Sequence, residues 1–409
     1  MSLVPFSSAD TRSVDVAIAG GGIVGLTLAN ALKESGLSIA IIEALPPEVA
    51  LKKPQAYALS LLSHRILRGI GVWSKIEPQI GKFAQIRLSD ADFPQVVPFE
   101  PADLQSDYLG FVGEHQVILH ELQEGLVTSS VQWFRPAEVV QMTYQDEQAI
   151  LTLRQGEQHS KLQAKLVVAA DGARSPLRTQ AGIGTKGWKY WQSCVAFTIQ
   201  HQAPRNDIAF ERFWYSGPMG VLPLPGDRCQ IVWTLPHAQA QEVLALEEKE
   251  FLARLQRHLG DSFGQIQLVN PRRLFPVQLM QSDHYVQPRL ALVGDAAHCC
   301  HPVGGQGLNL GIRDVAALAQ VLQEAVQQGE DIGHLSILKR YERWRRPENW
   351  VILGFTDFLD RFFSNDWWPL VAIRRLGLLT LRQVPPLKLF ALRLMTGLLG
   401  RQPSLAQPR

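Results

Sequence analysis

The segment VDVAIAGGGIVGLTLANALKESGLSIAIIEA, from Val14 to Ala44, constrains this chain more than any other. Val14–Ala19 is apolar but for Asp15 and rich in β-branched residues, as a buried parallel strand requires. Gly20, Gly22 and Gly25 follow as G-x-G-x-x-G, with Ile23 and Val24 inside the motif. Leu26, Leu28, Ala29 and Leu32 then continue as a helix pattern, and Ser38–Ile42 is a second apolar run ending at Glu43. Strand, glycines, helix, strand and acid in this order make a complete βαβ dinucleotide-binding unit. Gly20 permits the tight turn, Gly22 lets the backbone approach a pyrophosphate, and Gly25 lets helix and strand pack closely. The helix N-terminus offers free N–H groups and a positive dipole end to the phosphates, and Glu43 can accept hydrogen bonds from a ribose. The unit alone does not separate NAD from FAD.

Two later segments bear on that choice. In AKLVVAADGARSPLR, residues 164–178, the apolar run Leu166–Ala170 delivers Asp171-Gly172. An ordinary strand and turn would also produce this, since Asp-Gly is a favoured turn dipeptide. In GDAAHCCHPVGGQGLN, Gly294 to Asn309, the inner quartet His298–His301 looks like metal ligands and the outer frame like a cofactor cradle. Zinc sites usually bring ligand pairs together from separate turns, and four contiguous residues cannot easily wrap one ion. No metal site is therefore expected, His298 is read as a structural residue, and Cys299 and Cys300 as small packing residues. The frame has its own logic. Leu290–Val293 is a short apolar strand ending at Gly294-Asp295, and Pro302, Gly304, Gly305 and Gly307 keep the backbone lean enough for a flat ring. Val315, Leu318 and Leu322 then recur at helical spacing, with Arg313 and Asp314 off that stripe. A second cofactor segment about 270 residues after the first favours FAD, which touches protein at both ends.

GGGIVG, VVAADGARS, LALVGDAAH and PVGGQGLN together resemble the flavoprotein aromatic hydroxylases of the p-hydroxybenzoate hydroxylase type. Within that type the chain is similar to the ubiquinone-biosynthesis hydroxylases, which act on polyprenylated phenols. The resemblance covers roughly residues 14–390. It implies an α/β fold with a Rossmann-like FAD-binding domain in three pieces (1–82, 113–184 and 276–330). An antiparallel β-sheet substrate domain is inserted (83–112 and 185–275), and a helical region follows (331–409). It implies that Gly20, Gly22, Gly25 and Glu43 hold the adenosine diphosphate half of FAD. Asp171 would sit near the pyrophosphate and be tied to NAD(P)H use, and Asp295 would hydrogen-bond the ribityl chain. Pro302 and the stretch Gly304–Asn309, with Gly305, Gly307 and Leu308, would lie against the isoalloxazine. Gln116 matches a position whose polar side chain faces the FAD. One departure stands out: where the family usually has an arginine, in KPQAYALSLL, this chain has Gln55. Gln55 can hydrogen-bond the flavin edge but supplies no charge.

The implied activity is hydroxylation of a prenylated phenol by NAD(P)H and O₂, through a flavin C4a-hydroperoxide. The hard chemistry then belongs to the cofactor, and no side chain stands out as a general acid or base. The flavin-adjacent candidates are Pro302, Gly305 and Tyr215. A flavin-dependent reductase or epoxidase of a prenyl lipid could share these motifs, as could a non-catalytic flavoprotein subunit.

The middle of the chain alternates apolar and aromatic residues in CVAFTIQ, FERFWYSGPMGVLPLP and RCQIVWTLP. These read as antiparallel strands turning at Gly217-Pro218 and Pro225-Gly226-Asp227, with edge strands from 83–112. A formal net charge of +2 argues against nucleic acid as a partner, and four cysteines suit a reducing compartment. No run of 18 apolar residues predicts a membrane span, and MSLVPFSSADTRSV lacks a secretory core. From Val371 to Arg409 there are seven basic residues and no acidic one, with Trp367-Trp368 just before. This suits a helix lying in a membrane interface, or a helical bundle docked on the FAD domain. The expectation is a cytoplasmic protein that touches the inner face of a membrane.

Overall fold

The computed structural model describes residues 2–3, 12–90, 93–145 and 147–407. The elements that build the site run, in the first half, β1 (Arg12–Ala19), α1 (Ile23–Leu32), β2 (Ile39–Ile42), β3 (Ala56–Leu59), β4 (Gln85–Asp90), β5 (Gly110–Glu114), α2 (His115–Glu124) and β6 (Gln158–Ala169). The second half continues with β7 (Thr185–Gln200), β8 (Ile208–Trp214), β9 (Gly217–Pro223), β10 (Arg228–Pro236), β11 (Arg273–Ser282) and β12 (Leu290–Leu292). Four helices close the chain: α3 (Gln306–Gln327), α4 (Leu335–Phe363), α5 (Trp368–Gln383) and α6 (Pro385–Thr396).

The first layer is a sheet whose centre is parallel, in the order β2, β1, β6, β12. Val16, Ile18, Ile41, Leu166 and Leu290 are wholly or almost wholly buried there. With both faces covered, such strands are written as unbroken apolar runs. Farther back, β6 turns its free edge to the antiparallel strand Gln148–Gln155. The carboxyl ends of the four strands therefore lie side by side. Gly20, Glu43, Ala170-Asp171 and Val293–Asp295 follow directly from them. In open α/β sheets ligands bind outside this edge.

The second layer is an antiparallel sheet in the order β11, β7, β10, β9, β8, β4, closed by Val96–Phe99. Only the β8–β4 contact is parallel. Val195, Phe197 and Trp233 form its core with Phe251 of the covering helix Glu248–Leu259, beside the helix His237–Ala245. Three details differ from the sequence expectation. β11 runs past residue 275 to Ser282, and Cys299 and His298 add to its edge opposite Met280 and Gln281. β5 pairs with β3 rather than with this sheet. The turn between β8 and β9 is Tyr215-Ser216, not Gly217-Pro218, because Trp214 already pairs with Gly217.

The C-terminal helices dock on the second sheet. Buried Arg374 and half-buried Arg375 both reach Asp90 of β4, and Lys388 reaches Asp103. Phe363 stacks on Phe213 with ring centroids 4.0 Å apart. The outer side of α5 and α6 leaves Trp367, Trp368, Ile373, Leu376, Leu387 and Phe390 exposed. Among the described residues no helix is long and apolar enough to cross a membrane.

Candidate active site

A cleft of about 610 Å³ lies between the carboxyl edge of the parallel sheet and the antiparallel roof. All three glycine-bearing segments enter its wall, through Gly22–Val24, through Ala170, Gly172 and Ala173, and through Asp295 and Pro302–Leu308.

At the first segment the Gly21 N–H donates to Glu43 Oε2 at 2.7 Å, and the Leu45 N–H to Oε1 at 2.8 Å. Glu43 thus closes the glycine loop from the end of β2. A Cβ on Gly20 would come within 2.3 Å of the Ala170 carbonyl oxygen, and one on Gly25 within 2.0 Å of the Gly20 carbonyl oxygen. These two glycines are demanded by the protein itself. A Cβ on Gly22 would meet nothing within 4 Å, and no side chain caps α1 at Gly22. Gly22 and the open helix end are therefore turned outward, to whatever the cleft holds.

At the second segment Asp171 Oδ2 accepts from the Leu177 N–H at 3.3 Å. Its Oδ1 is buried without a partner, and burial raises its carboxyl above the usual range. Ala170, Gly172 and Ala173 line the cleft around it, while the Asp171 carboxyl itself lies behind the wall.

At the third segment Asp295 opens onto the cleft, with protein around it on the other sides; burial holds its carboxyl up, opposed by His298. Gly304 and Gly305 take left-handed backbone, φ +67° and +61°, which favours glycine. Gly305 caps α3 without a side-chain bond, and Gly307 faces open space. Asn309 is turned away from the cleft. Its amide donates to the Ala58 and Gly305 carbonyls, and its oxygen accepts from the Ser60 N–H and the Ser63 hydroxyl. All its capacity is used in holding the loop, so the expected face-on contact belongs to its neighbours.

The polar corner of the cleft is built by Gln55, Tyr57 and His115. The Tyr57 hydroxyl donates to Gln55 Oε1 at 3.3 Å and lies 3.3 Å from His115 Nδ1. Burial pushes His115 down to about 4 and Tyr57 up. Gln116 is exposed in the first turn of α2, and its neighbour His115 lines the cleft instead. Tyr215 sits on the β8–β9 turn, largely exposed and outside the cleft wall, so it is withdrawn as a flavin-adjacent candidate.

The quartet His298–His301 splits. His298 Nε2 meets Asp314 at 2.6 Å, His301 Nε2 lies 3.4 Å from Asp360, and Cys299 and Cys300 line the cleft. Among the described residues no group of three or more His, Cys, Asp or Glu is arranged to hold a metal. Asp314 also accepts from the Gly294 N–H, Arg345 and Asn349. Burial alone would raise its carboxyl, but His298 and Arg345 outweigh this and hold it near 2. The sequence placed Arg313 and Asp314 off the apolar stripe; both are buried, Asp314 under Arg345 and Asn349 of α4 and Arg313 against Ser60 and Gly397.

One residue escaped the sequence reading altogether. Glu211 of β8 faces the cleft from the roof, and its Oε2 accepts from the Gly304 N–H at 3.3 Å. Burial pushes its carboxyl up to about 7. The available signal was a charged residue on a strand face whose other members, Ala209 and Phe213, are apolar.

Two uncapped helix ends, open glycines and a lean loop under a largely apolar roof fit an anionic dinucleotide carrying a flat ring. The comparisons agree. A family model described as FAD binding domain matches residues 13–356. Ubiquinone hydroxylase UbiL of Rhodospirillum rubrum is 36% identical, over 98% of this chain and 93% of its own. The 3-demethoxyubiquinol 3-hydroxylase of Escherichia coli is 34% identical, over 95% and 99%. The crystal structure of p-nitrophenol 4-monooxygenase PnpA from Pseudomonas putida superposes with a TM-score of 0.79 at 19% identity, covering 96% of this chain and all of that one. The chain belongs to the FAD-binding domain family, and it is an FAD-dependent aromatic hydroxylase.

Proposed function

We propose that this enzyme hydroxylates a prenylated phenol in quinone biosynthesis, with NAD(P)H and O₂ as co-substrates. The observation that carries the reading is one cleft with two characters. Its floor holds the three dinucleotide motifs, and its roof is largely apolar, with Ile86, Leu222, Val232 and Phe275. Such a roof excludes water and suits an isoprenoid chain. When bound, FAD supplies the redox chemistry toward oxygen. The Gly20–Gly25 loop and the end of α1 would take its pyrophosphate, and Glu43 its adenosine ribose. Asp171 would meet a donor near the pyrophosphate, Asp295 the ribityl hydroxyls, and Pro302–Leu308 the ring. The α3 N-terminus would steady negative charge at the ring's edge. Gln55 would hydrogen-bond there without adding charge.

The exposed apolar side of α5 and α6 supports peripheral contact with a membrane, where a prenylated substrate resides. α6 is joined to the flavin loop, because the Gln306 side chain donates to the Met395 carbonyl at 3.1 Å. The test is oxygen-dependent conversion of a panel of prenylated and unprenylated phenols by the FAD-loaded enzyme. Product heavier by one oxygen, formed fastest from prenylated members, is the expected result. Reduction of the substrate without oxygen uptake, or oxidation of an isolated alkene, would replace this reading with a reductase or an epoxidase.

A further inference from the structure

Resting on the hydroxylation reading, we propose that Glu211 is a catalytic residue, the base that takes the phenolic proton of the substrate. The substrate O–H bond breaks, its electron pair stays on oxygen as a phenolate, and the proton passes to a carboxylate oxygen of Glu211. Charge on that oxygen activates the ring toward electrophilic attack, so the base belongs beside the substrate and above the flavin.

The geometry places it there. Glu211 stands in the roof, with its Oε2 held by the Gly304 N–H, in the loop against which the ring would lie. The same bond anchors the carboxylate between the two halves of the cleft. Across the strand ladder it faces Leu88 on β4 and Gly220 on β9, neither of them titratable. Gly220 carries no side chain beside the carboxylate, and a Cβ there would lie 3.8 Å from Glu211 Oε2, in ordinary contact. No cation pairs with Glu211 among the described residues, and the Gly304 N–H is its hydrogen-bond donor. A carboxylate desolvated without a cation seeks a proton, and one poised near neutral pH is matched to this task.

The other titratable groups of the cleft are less suited. Burial pushes the thiols of Cys194, Cys299 and Cys300 up, so they stay protonated. His115 is neutral and tied to the Ala50 carbonyl. Tyr57 is pushed up by burial, while Asp295 belongs to the floor and Lys53 to the polar corner.

Glu211→Gln separates catalysis from anchoring, because the amide oxygen still accepts from Gly304. Wild-type kcat should fall as pH drops below about 7, as the carboxylate protonates. In Glu211→Gln kcat should drop by about 10²–10⁴-fold and lose this acidic limb, with FAD retained. Glu211→Asp should keep the limb. A second readout needs no turnover: 4-nitrophenol is added to weakly buffered, FAD-loaded enzyme near pH 8 and proton uptake is followed. Two anions cannot share the dry site, so the wild type should take up close to one proton per bound nitrophenolate, and Glu211→Gln close to none. Equal uptake by both, with an unchanged pH profile, would overturn the proposal and leave Glu211 as a loop anchor. Proton uptake by a wild type that hydroxylates no phenol would instead count against the substrate reading alone.

Discussion

Two alanine substitutions three residues apart should fail in opposite ways. In Gly25→Ala the new methyl would lie 2.0 Å from the Gly20 carbonyl oxygen and 3.3 Å from Ile18 Cγ2. The first is a backbone atom in the turn that ends β1, and it cannot swing aside. Relief requires α1 and β1 to separate by more than an ångström, and overpacking of this kind costs about 1–3 kcal/mol or more. Gly22→Ala meets nothing within 4 Å, and Gly22 has φ −77°, which alanine adopts freely. Its effects on the folded and unfolded chain are both below about 1 kcal/mol and partly cancel. The methyl instead stands where the pyrophosphate must approach, and a loss of tenfold or more in FAD affinity, about 1.4 kcal/mol, is expected. The assay is thermal unfolding of the flavin-free proteins, paired with FAD titration followed by flavin fluorescence. Gly25→Ala should unfold earlier even without FAD, and Gly22→Ala should match the wild type until FAD is added. A Gly22→Ala protein with wild-type FAD affinity would refute the reasoning, as would a Gly25→Ala protein of unchanged stability.

Asp314→Asn should destabilise the protein by about 1.5–3 kcal/mol in urea unfolding at neutral pH, because buried Arg345 loses one of its two carboxylate partners and keeps only Glu348. Asp314 sits near 2 in the folded protein, below its ordinary 3.8, so its contribution is complete above about pH 4 and lost as pH falls toward 2. That acid-side loss, roughly 2 kcal/mol, should vanish in the variant. Asp90→Ala removes the shared partner of Arg374 and Arg375, and limited proteolysis should then cut between α4 and α5 sooner than in the wild type. Replacing Trp368 and Leu376 together by serine should weaken sedimentation with anionic vesicles about tenfold or more while leaving thermal stability unchanged; equal sedimentation would remove α5 from the proposed membrane contact.

What could be read from the sequence follows from how far each interaction reaches along it. The β1–α1–β2 unit was legible because burial on both faces writes apolar runs and the turn demands glycine. The strand before Asp295 was legible for the same reason. The β8–β9 turn was displaced by two residues because Tyr215-Ser216 and Gly217-Pro218 both suit a turn, and only the pairing of Trp214 with Gly217 decides. Asp314 read only as off the apolar stripe because its partners His298 and Arg345 come from other elements. Glu211 was marked only by a lone charge on an apolar strand face, because its environment is made by Leu88, Gly220 and Gly304, which the fold gathers from distant segments. The docking of α5 is likewise decided by Asp90, far back in the chain.

A crystal structure of the protein with FAD bound tests the central claim most directly. One FAD molecule should span the cleft, with its adenosine ribose in hydrogen-bond reach of Glu43 and its isoalloxazine against Pro302–Gly305, beneath Glu211. A flavin seated elsewhere, or one that meets Glu43 while leaving Asp295 and the Pro302–Gly305 loop untouched, would contradict it.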